Sequence, residues 1–221
     1  VLSLISCKNS VFEDLIISAA YSFGDAIDGN SDGIRLTSLS TAVSSNGNLF
    51  KNVTVKNCVT GIKTDTDIKD NTWNNCTFDT LWQGFAFGAG TILGTSGMLT
   101  GPINNKIVES KFDNIWGSAI KVVNGTNNIS KNNKFYNVGN HAGTSASASE
   151  AVIEFGSLNN TSEGDWFKRS ADLGYDETFK NGVVYHPEVK GPTITDFGTT
   201  HKLTIGQSGE YTKLFRLPAE T

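Results

Sequence analysis

Four short stretches share one order of apolar and polar positions: Val55-Lys56-Asn57-Cys58, Phe78-Asp79-Thr80-Leu81, Phe112-Asp113-Asn114-Ile115 and Phe135-Tyr136-Asn137-Val138. Apolar residues hold the first and fourth places, and a polar turn-former holds the third. The stretches start 23, 34 and 23 residues apart, and the longer interval contains an 11-residue Gly-rich insertion, residues 88–98. A fixed period with loops spliced into it is the signature of a solenoid. A unit of this length holds three short strands and their turns. Units stacked at the parallel-strand spacing of about 4.8 Å pile equivalent positions into columns. Phe78, Phe112 and Phe135 are then expected to form an inner aromatic column. Asn57, Asn114 and Asn137 fall at a turn, where Asn tolerates left-handed backbone and its amide can bond the next along the axis. Thr80 interrupts that column. Asp79 with Asp113, and Trp82 with Trp116, share outward places on adjacent coils.

The same pattern extends to both sides. Phe12-Glu13-Asp14-Leu15 fits the template as an earlier coil, and the surplus before Val55 falls in a loop near 21–32. Gly33-Ile34-Arg35-Leu36 has strand character and is echoed by Gly61-Ile62-Lys63 and Ala119-Ile120-Lys121-Val122. Up to residue 160 the chain alternates in short runs with almost no helical periodicity, and Ala151-Val152-Ile153-Glu154-Phe155 reads as a last coil. Beyond that the character changes. Residues 163–178 are charged, with room for a short helix, and candidate strands follow at 182–186, 202–206 and 211–217, separated by Pro and Gly. The expected fold is all-β: a right-handed parallel β-helix over 1–160, with loop insertions near 21–32 and 88–98. A smaller antiparallel, sandwich-like β region over 161–221 is expected to follow it.

Composition narrows the partners. With 22 acidic and 18 basic side chains the net charge is −4, which argues against nucleic acid, where a basic stripe is expected. No apolar run approaches the roughly 20 residues of a membrane-spanning helix, so no membrane insertion is expected. Cys7, Cys58 and Cys76 form no CxxC pair, and an odd count does not suggest a disulfide framework. Cys58 sits at the apolar fourth place and Cys76 two residues before an apolar first place, and both read as small buried hydrophobes. The chain opens on Val1-Leu2-Ser3-Leu4 without a methionine and reads as part of a longer polypeptide.

The repeats GNLFKNVTVKNCVTGIK (47–63), NNCTFDTLWQGFAF (74–87), ESKFDNIWGSAIKV (109–122) and NNKFYNVGNHA (132–142) resemble the pectate-lyase type of parallel β-helix. That family includes polysaccharide lyases, polygalacturonase-like hydrolases and bacteriophage tailspikes. A β-helix followed by a β-rich region is most similar to the phage group. The resemblance implies a homotrimeric shaft on a virion or outside a cell, partnered by other tail proteins and by host surface polysaccharide. A polysaccharide depolymerase and a bacterial surface adhesin are the alternatives. The polygalacturonase set (N-T-D, D-D, G-H-G, R-I-K) survives only as fragments such as Gly139-Asn140-His141 and Gly33-Ile34-Arg35-Leu36, which leans the reading away from an enzyme.

Three sets of side chains carry candidate chemistry. Asp79 and Asp113, one coil apart, would stand about 5 Å from each other, the separation of a retaining glycosidase pair. Trp82 and Trp116 would offer aromatic faces to sugar rings or to a neighbouring subunit. Asp28-Gly29-Asn30-Ser31-Asp32-Gly33 matches the first half of a Ca²⁺ loop through Asp28, Asn30 and Asp32, but Leu39 stands where the bidentate Glu belongs. The same residues are also ordinary turn chemistry. No other cofactor is expected. His141, His186 and His201 lack metal-ligand spacing.

Overall fold

A computed structural model of the chain describes residues 2–21, 31–38, 44–64, 68–87, 101–122, 125–139, 151–156, 159–168, 181–186, 188–190, 193–196, 208–209 and 213–216. The strands wind into a parallel β-helix with three sheets. Sheet one stacks Ile16–Ser18, the first half of Thr54–Thr64, the first half of Thr77–Phe87, Lys111–Ile115, Lys134–Val138, Trp166–Lys168 and Ser208–Gly209. Sheet two stacks Leu2–Ile5, Asp32–Thr37, the second halves of the two long strands, Ile120–Val122, Ala151–Gly156, Asn181–His186 and Lys213–Arg216. Sheet three stacks Val11–Glu13, Leu49–Lys51, Thr72–Asn74, Lys106–Val108, Ile129–Lys131 and Thr161–Glu163.

The bends between sheets come from single residues with left-handed backbone. Asp14, Asn52, Asn75, Glu109, Asn132 and Gly164 turn sheet three into sheet one, all with φ between 52° and 63°. Asn57, Thr80, Asn114 and Asn137 turn sheet one into sheet two, with φ of 51° to 54°. One residue out of the β region redirects the strand, so the residue before it faces outward and the residue after it faces inward again. That is why the template reads apolar–outward–turn–apolar. Asn and Asp dominate because their side chains stabilise this backbone locally; Thr80, β-branched, is the costly exception.

Inside, the columns are dry and aromatic. Phe78, Phe112, Phe135 and Phe167 are fully buried, with successive ring centroids 4.8, 4.8 and 5.0 Å apart and nearly parallel planes. Each contributes about 1.5–3 kcal/mol by leaving water. Phe12, Phe50 and Trp73 form a second stack at 4.9 and 5.2 Å. Cys58 and Cys76 are buried free thiols, as their places in the repeat predict. On sheet two the backbones close tightly at Gly33, Gly61 and Gly84: a Cβ on Gly61 would stand 2.8 Å from the Gly84 carbonyl oxygen, so only glycine fits.

A polar ladder runs through the core beside these columns. Asn48, Asn71, Asn105, Asn128 and Asn160 are buried, one per coil. Asn48 Oδ1 accepts from the Ser10 N–H, and each later Asn Oδ1 accepts from the backbone N–H and the Nδ2 of the Asn one coil before it, at 2.9 to 3.1 Å. The other Nδ2 hydrogen caps a backbone carbonyl: Cys7, Ser45, Ile68, Pro102 and Gly125 in turn. A second ladder passes from the Cys76 N–H to Ser110 Oγ, from the Ser110 N–H to Asn133 Oδ1, and from the Asn133 N–H to Asp165 Oδ1.

Three expectations change. Phe12 pairs with Phe50 in sheet three, not with Val55 in sheet one, whose partner is Ile17; both sheets use the same four-place template, so the pattern alone does not tell them apart. Amide-to-amide bonds run through the buried ladder and join Asn75 to Asn52 at the other turn, at 2.7 Å. At the turn column Asn57, Asn114 and Asn137 donate instead to Ser18, Asp79 and Asp113. Beyond residue 160, antiparallel pairing occurs in Glu188–Lys190 with Thr193–Asp196. The other described strands there pair parallel and extend the coil. Asn160 and Phe167 continue the columns of Asn128 and Phe135, so the core does not end where the surface composition changes. The candidate strand 202–206 and the insertion 88–98 lie outside the described residues.

Candidate functional site

The outward places of sheet one form two columns. Asp79 stands in register with Lys56 on one side and Asp113 on the other, and Asp113 with Tyr136, which is followed by Lys168. Beside them run Thr77, Lys111, Lys134 and Trp166. The expected adjacency of Asp79 and Asp113 is therefore present in the backbone register.

Both carboxylates are engaged by neighbours. Lys111 Nζ lies 2.8 Å from Asp113 Oδ2, two residues along the same strand and on the same side. The bond to Asp113 raises the Lys111 pKa above its ordinary value. Asp79 Oδ1 accepts from Asn114 Nδ2 at 3.3 Å and from Thr80 Oγ1 at 3.2 Å. The Asn137 amide approaches Asp113 Oδ1 at 3.5 Å.

Lys111 also reaches the next coil, with Nζ 5.3 Å from the centroid of the Tyr136 ring, within cation–π range. Tyr136 in turn meets Trp166, with centroids 5.0 Å apart and planes tilted by 54°. Both rings are half-buried. Lys134 and Lys168 are exposed beside them. The result is an aromatic pair set among three lysine side chains, with Lys111 also bonded to Asp113.

Trp82 and Trp116 follow the sheet-one turn on adjacent coils. The Trp116 N–H donates to the Leu81 carbonyl at 2.8 Å and the Gly117 N–H to the Trp82 carbonyl at 2.7 Å. Both are half-buried, which leaves area for a ligand or a subunit. Of the proposed Ca²⁺ ligands, Asp28 and Asn30 lie outside the described residues. Asp32 is buried at the start of a sheet-two strand, with Lys63 Nζ 3.8 Å from its Oδ2. A cation thus already faces that carboxylate. Among the described residues no three His, Cys, Asp or Glu gather as metal ligands.

Sequence reasoning missed Lys111, Lys134, Tyr136, Trp166 and Lys168. The signal was available: Lys111-Phe112-Asp113, Lys134-Phe135-Tyr136 and Trp166-Phe167-Lys168 each place an inward Phe between two outward side chains. Asp165 was missed too. It is fully buried, and its Oδ2 accepts from the Ser130 and Ser162 hydroxyls at 2.6 Å each, its Oδ1 from the Asn133 N–H at 2.8 Å. Burial drives its pKa up to about 6 against the pull of those hydrogen bonds.

This set of faces and columns defines a parallel β-helix whose candidate sites lie on outward strand positions. No protein-family model matches the chain, and no curated protein sequence matches it. A solved structure is similar: that of the Streptococcus pneumoniae surface protein and adhesin PfbA, with a TM-score of 0.51 at 13% sequence identity. The similarity covers 95% of this chain and 49% of that one. The chain therefore spans about half the length of PfbA, and at this identity the likeness is one of fold.

Proposed function

We propose that the chain is a surface-attachment β-helix that binds acidic polysaccharide on sheet one. The observation that carries this is the Tyr136–Trp166 pair flanked by Lys111, Lys134 and Lys168 on consecutive coils. Sugar rings stack on aromatic faces, and ammonium groups at the coil spacing suit a polymer that repeats carboxylates along its length. Trp82 and Trp116 extend the aromatic surface past the turn. The engagement of Asp79 and Asp113 by Asn114 and Lys111 favours a binding role over a catalytic one. An adhesin setting is supported by the likeness in fold to PfbA; a trimeric phage appendage is the alternative setting, and sedimentation separates them, since the shaft of an appendage requires a trimer. The test is binding of purified acidic and neutral polysaccharides to Trp166→Ala and Tyr136→Ala chains. Each is expected to bind at least about tenfold more weakly, about 1.4 kcal/mol, with unchanged circular dichroism. Binding equal to the parent chain's would refute the site.

A depolymerase is the second reading, favoured by the register of Asp79 with Asp113. Here Asp113, or Asp79, acts as nucleophile and the other as acid. New reducing ends released by the parent chain and lost in Asp79→Asn and Asp113→Asn would establish it; their absence from the parent leaves binding alone.

A further inference from the structure

We propose a second ligand site on sheet three, a groove that takes a neutral saccharide. The groove encloses ≈ 370 Å³ and is lined by Asp70, Thr72, Asn104, Lys106, Asn127 and Ile129, a size within the usual range of small-molecule sites. It belongs to neither outward column of sheet one and does not depend on the reading of that face.

Two columns build its walls. Thr72, Lys106 and Ile129 are outward residues in mutual register on three consecutive coils. Asp70, Asn104 and Asn127 are the turn residues that precede those strands, with φ of 55°, 56° and 57°. Each is followed directly by a rung of the buried ladder: Asn71, Asn105 and Asn128. Those rungs are locked on both sides by hydrogen bonds. The rim is held by the core, so little ordering cost attaches to binding.

The lining selects the ligand. Asp70 and Lys106 bring one charge of each sign, so the groove has no net charge to match an ion. Asn104 Nδ2 donates to Asp70 Oδ1 at 3.1 Å, which fixes the orientation of that amide. Amides, a hydroxyl, a carboxylate and an ammonium together offer both donors and acceptors. Sugar hydroxyls need both at once, and they recur along a ring edge as the lining recurs along the coil. Ile129 supplies an apolar patch for a C–H face. A uronate would gain an ammonium but meet Asp70.

The experiment is a titration of the isotope-labelled chain, followed by backbone amide NMR, with N-acetylglucosamine, galactose and glucuronate. A neutral sugar is expected to shift amides within 70–72, 104–106 and 127–129. An Asn104→Gly, Asn127→Gly chain is expected to lose at least about tenfold in affinity; glycine removes the amides while keeping the left-handed backbone. Lys106→Ala, at an exposed strand position, gives the same direction by a change that leaves the turns alone. Trp166→Ala is expected to leave these shifts unchanged, which separates this site from sheet one. The proposal is overturned if no neutral sugar moves these amides, if glucuronate binds more tightly than the neutral sugars, or if the double glycine and Lys106→Ala chains bind like the parent.

Discussion

Asp165 makes the coil more stable in mild acid than at neutral pH. Its carboxyl titrates at about 6 in the fold and at 3.8 in an open chain, so the folded state holds the proton more tightly. The stabilisation from that proton is complete below about pH 4, falls as pH rises from there to about 6, and is absent above. The gap corresponds to about 3 kcal/mol, a sizeable part of a typical domain stability of about 5–15 kcal/mol. The perturbation is Asp165→Asn. Its Oδ1 can still accept from the Asn133 N–H, and its Nδ2 can donate to the Ser130 and Ser162 hydroxyl oxygens. Urea denaturation followed by circular dichroism at pH 4, 5, 6 and 7.5 is the assay. The variant is expected to be more stable than the parent by about 1–2 kcal/mol at pH 7.5, after allowing for weaker hydrogen bonds to a neutral group. Toward pH 4 the parent regains the gap of about 3 kcal/mol, so the advantage should vanish and then reverse to about 1–2 kcal/mol in the parent's favour. A difference that does not change with pH, or a variant less stable than the parent at pH 7.5, would show that Asp165 does not carry the buried titration.

Two further outcomes follow from the columns. Asn71→Ala removes one rung of the ladder and orphans the Asn48 N–H, one Asn48 amide hydrogen and the Ser45 carbonyl; at about 1–3 kcal/mol each the expected loss is about 3–5 kcal/mol by denaturant titration, and a loss under 1 kcal/mol would mean that the rungs act independently of the core. Thr80→Asn relieves a β-branched residue at φ 53° and should stabilise the chain by about 1 kcal/mol, read as a rise of about 2–4 °C in melting temperature; an unchanged or lower value would place the strain elsewhere.

The period was legible because inward places tolerate little variation: a Phe at 78, 112 and 135 must stack on its copy one coil away. The turn column was legible because left-handed backbone narrows the choice of residue. The ladder was not. Asn48, Asn71, Asn105 and Asn128 look like any of the many polar residues of this chain, and only three-dimensional register reveals that they are buried. The continuation past 160 was hidden for a related reason. The interval from Phe135 to Phe167 includes the small, polar stretch 140–150, and Trp166 and Lys168 give the strand a charged, aromatic surface unlike its predecessors'. On sheet one, Asp79 and Asp113 stood out because two like residues met. Tyr136 and Trp166 sit at non-equivalent places, and their contact is diagonal across coils, which a column-by-column comparison passes over.

That diagonal contact bears on how such a fold acquires function. Inward places are committed to stacking and the turn places to left-handed backbone, so chemistry enters only through the outward places and the inserted loops. A vertical column repeats one side chain at the coil spacing and suits a repeating ligand. A diagonal pair joins two different columns and can tell one orientation of that ligand from the other. On sheet one the vertical element is the carboxylate pair Asp79 and Asp113, and the diagonal one is Tyr136 with Trp166, bridged by Lys111, which bonds Asp113 and lies over Tyr136. Replacing Lys111 therefore disturbs both elements, whereas replacing Lys134 removes charge alone. The two lysines separate a surface that reads a polymer's charge from one that also reads its direction.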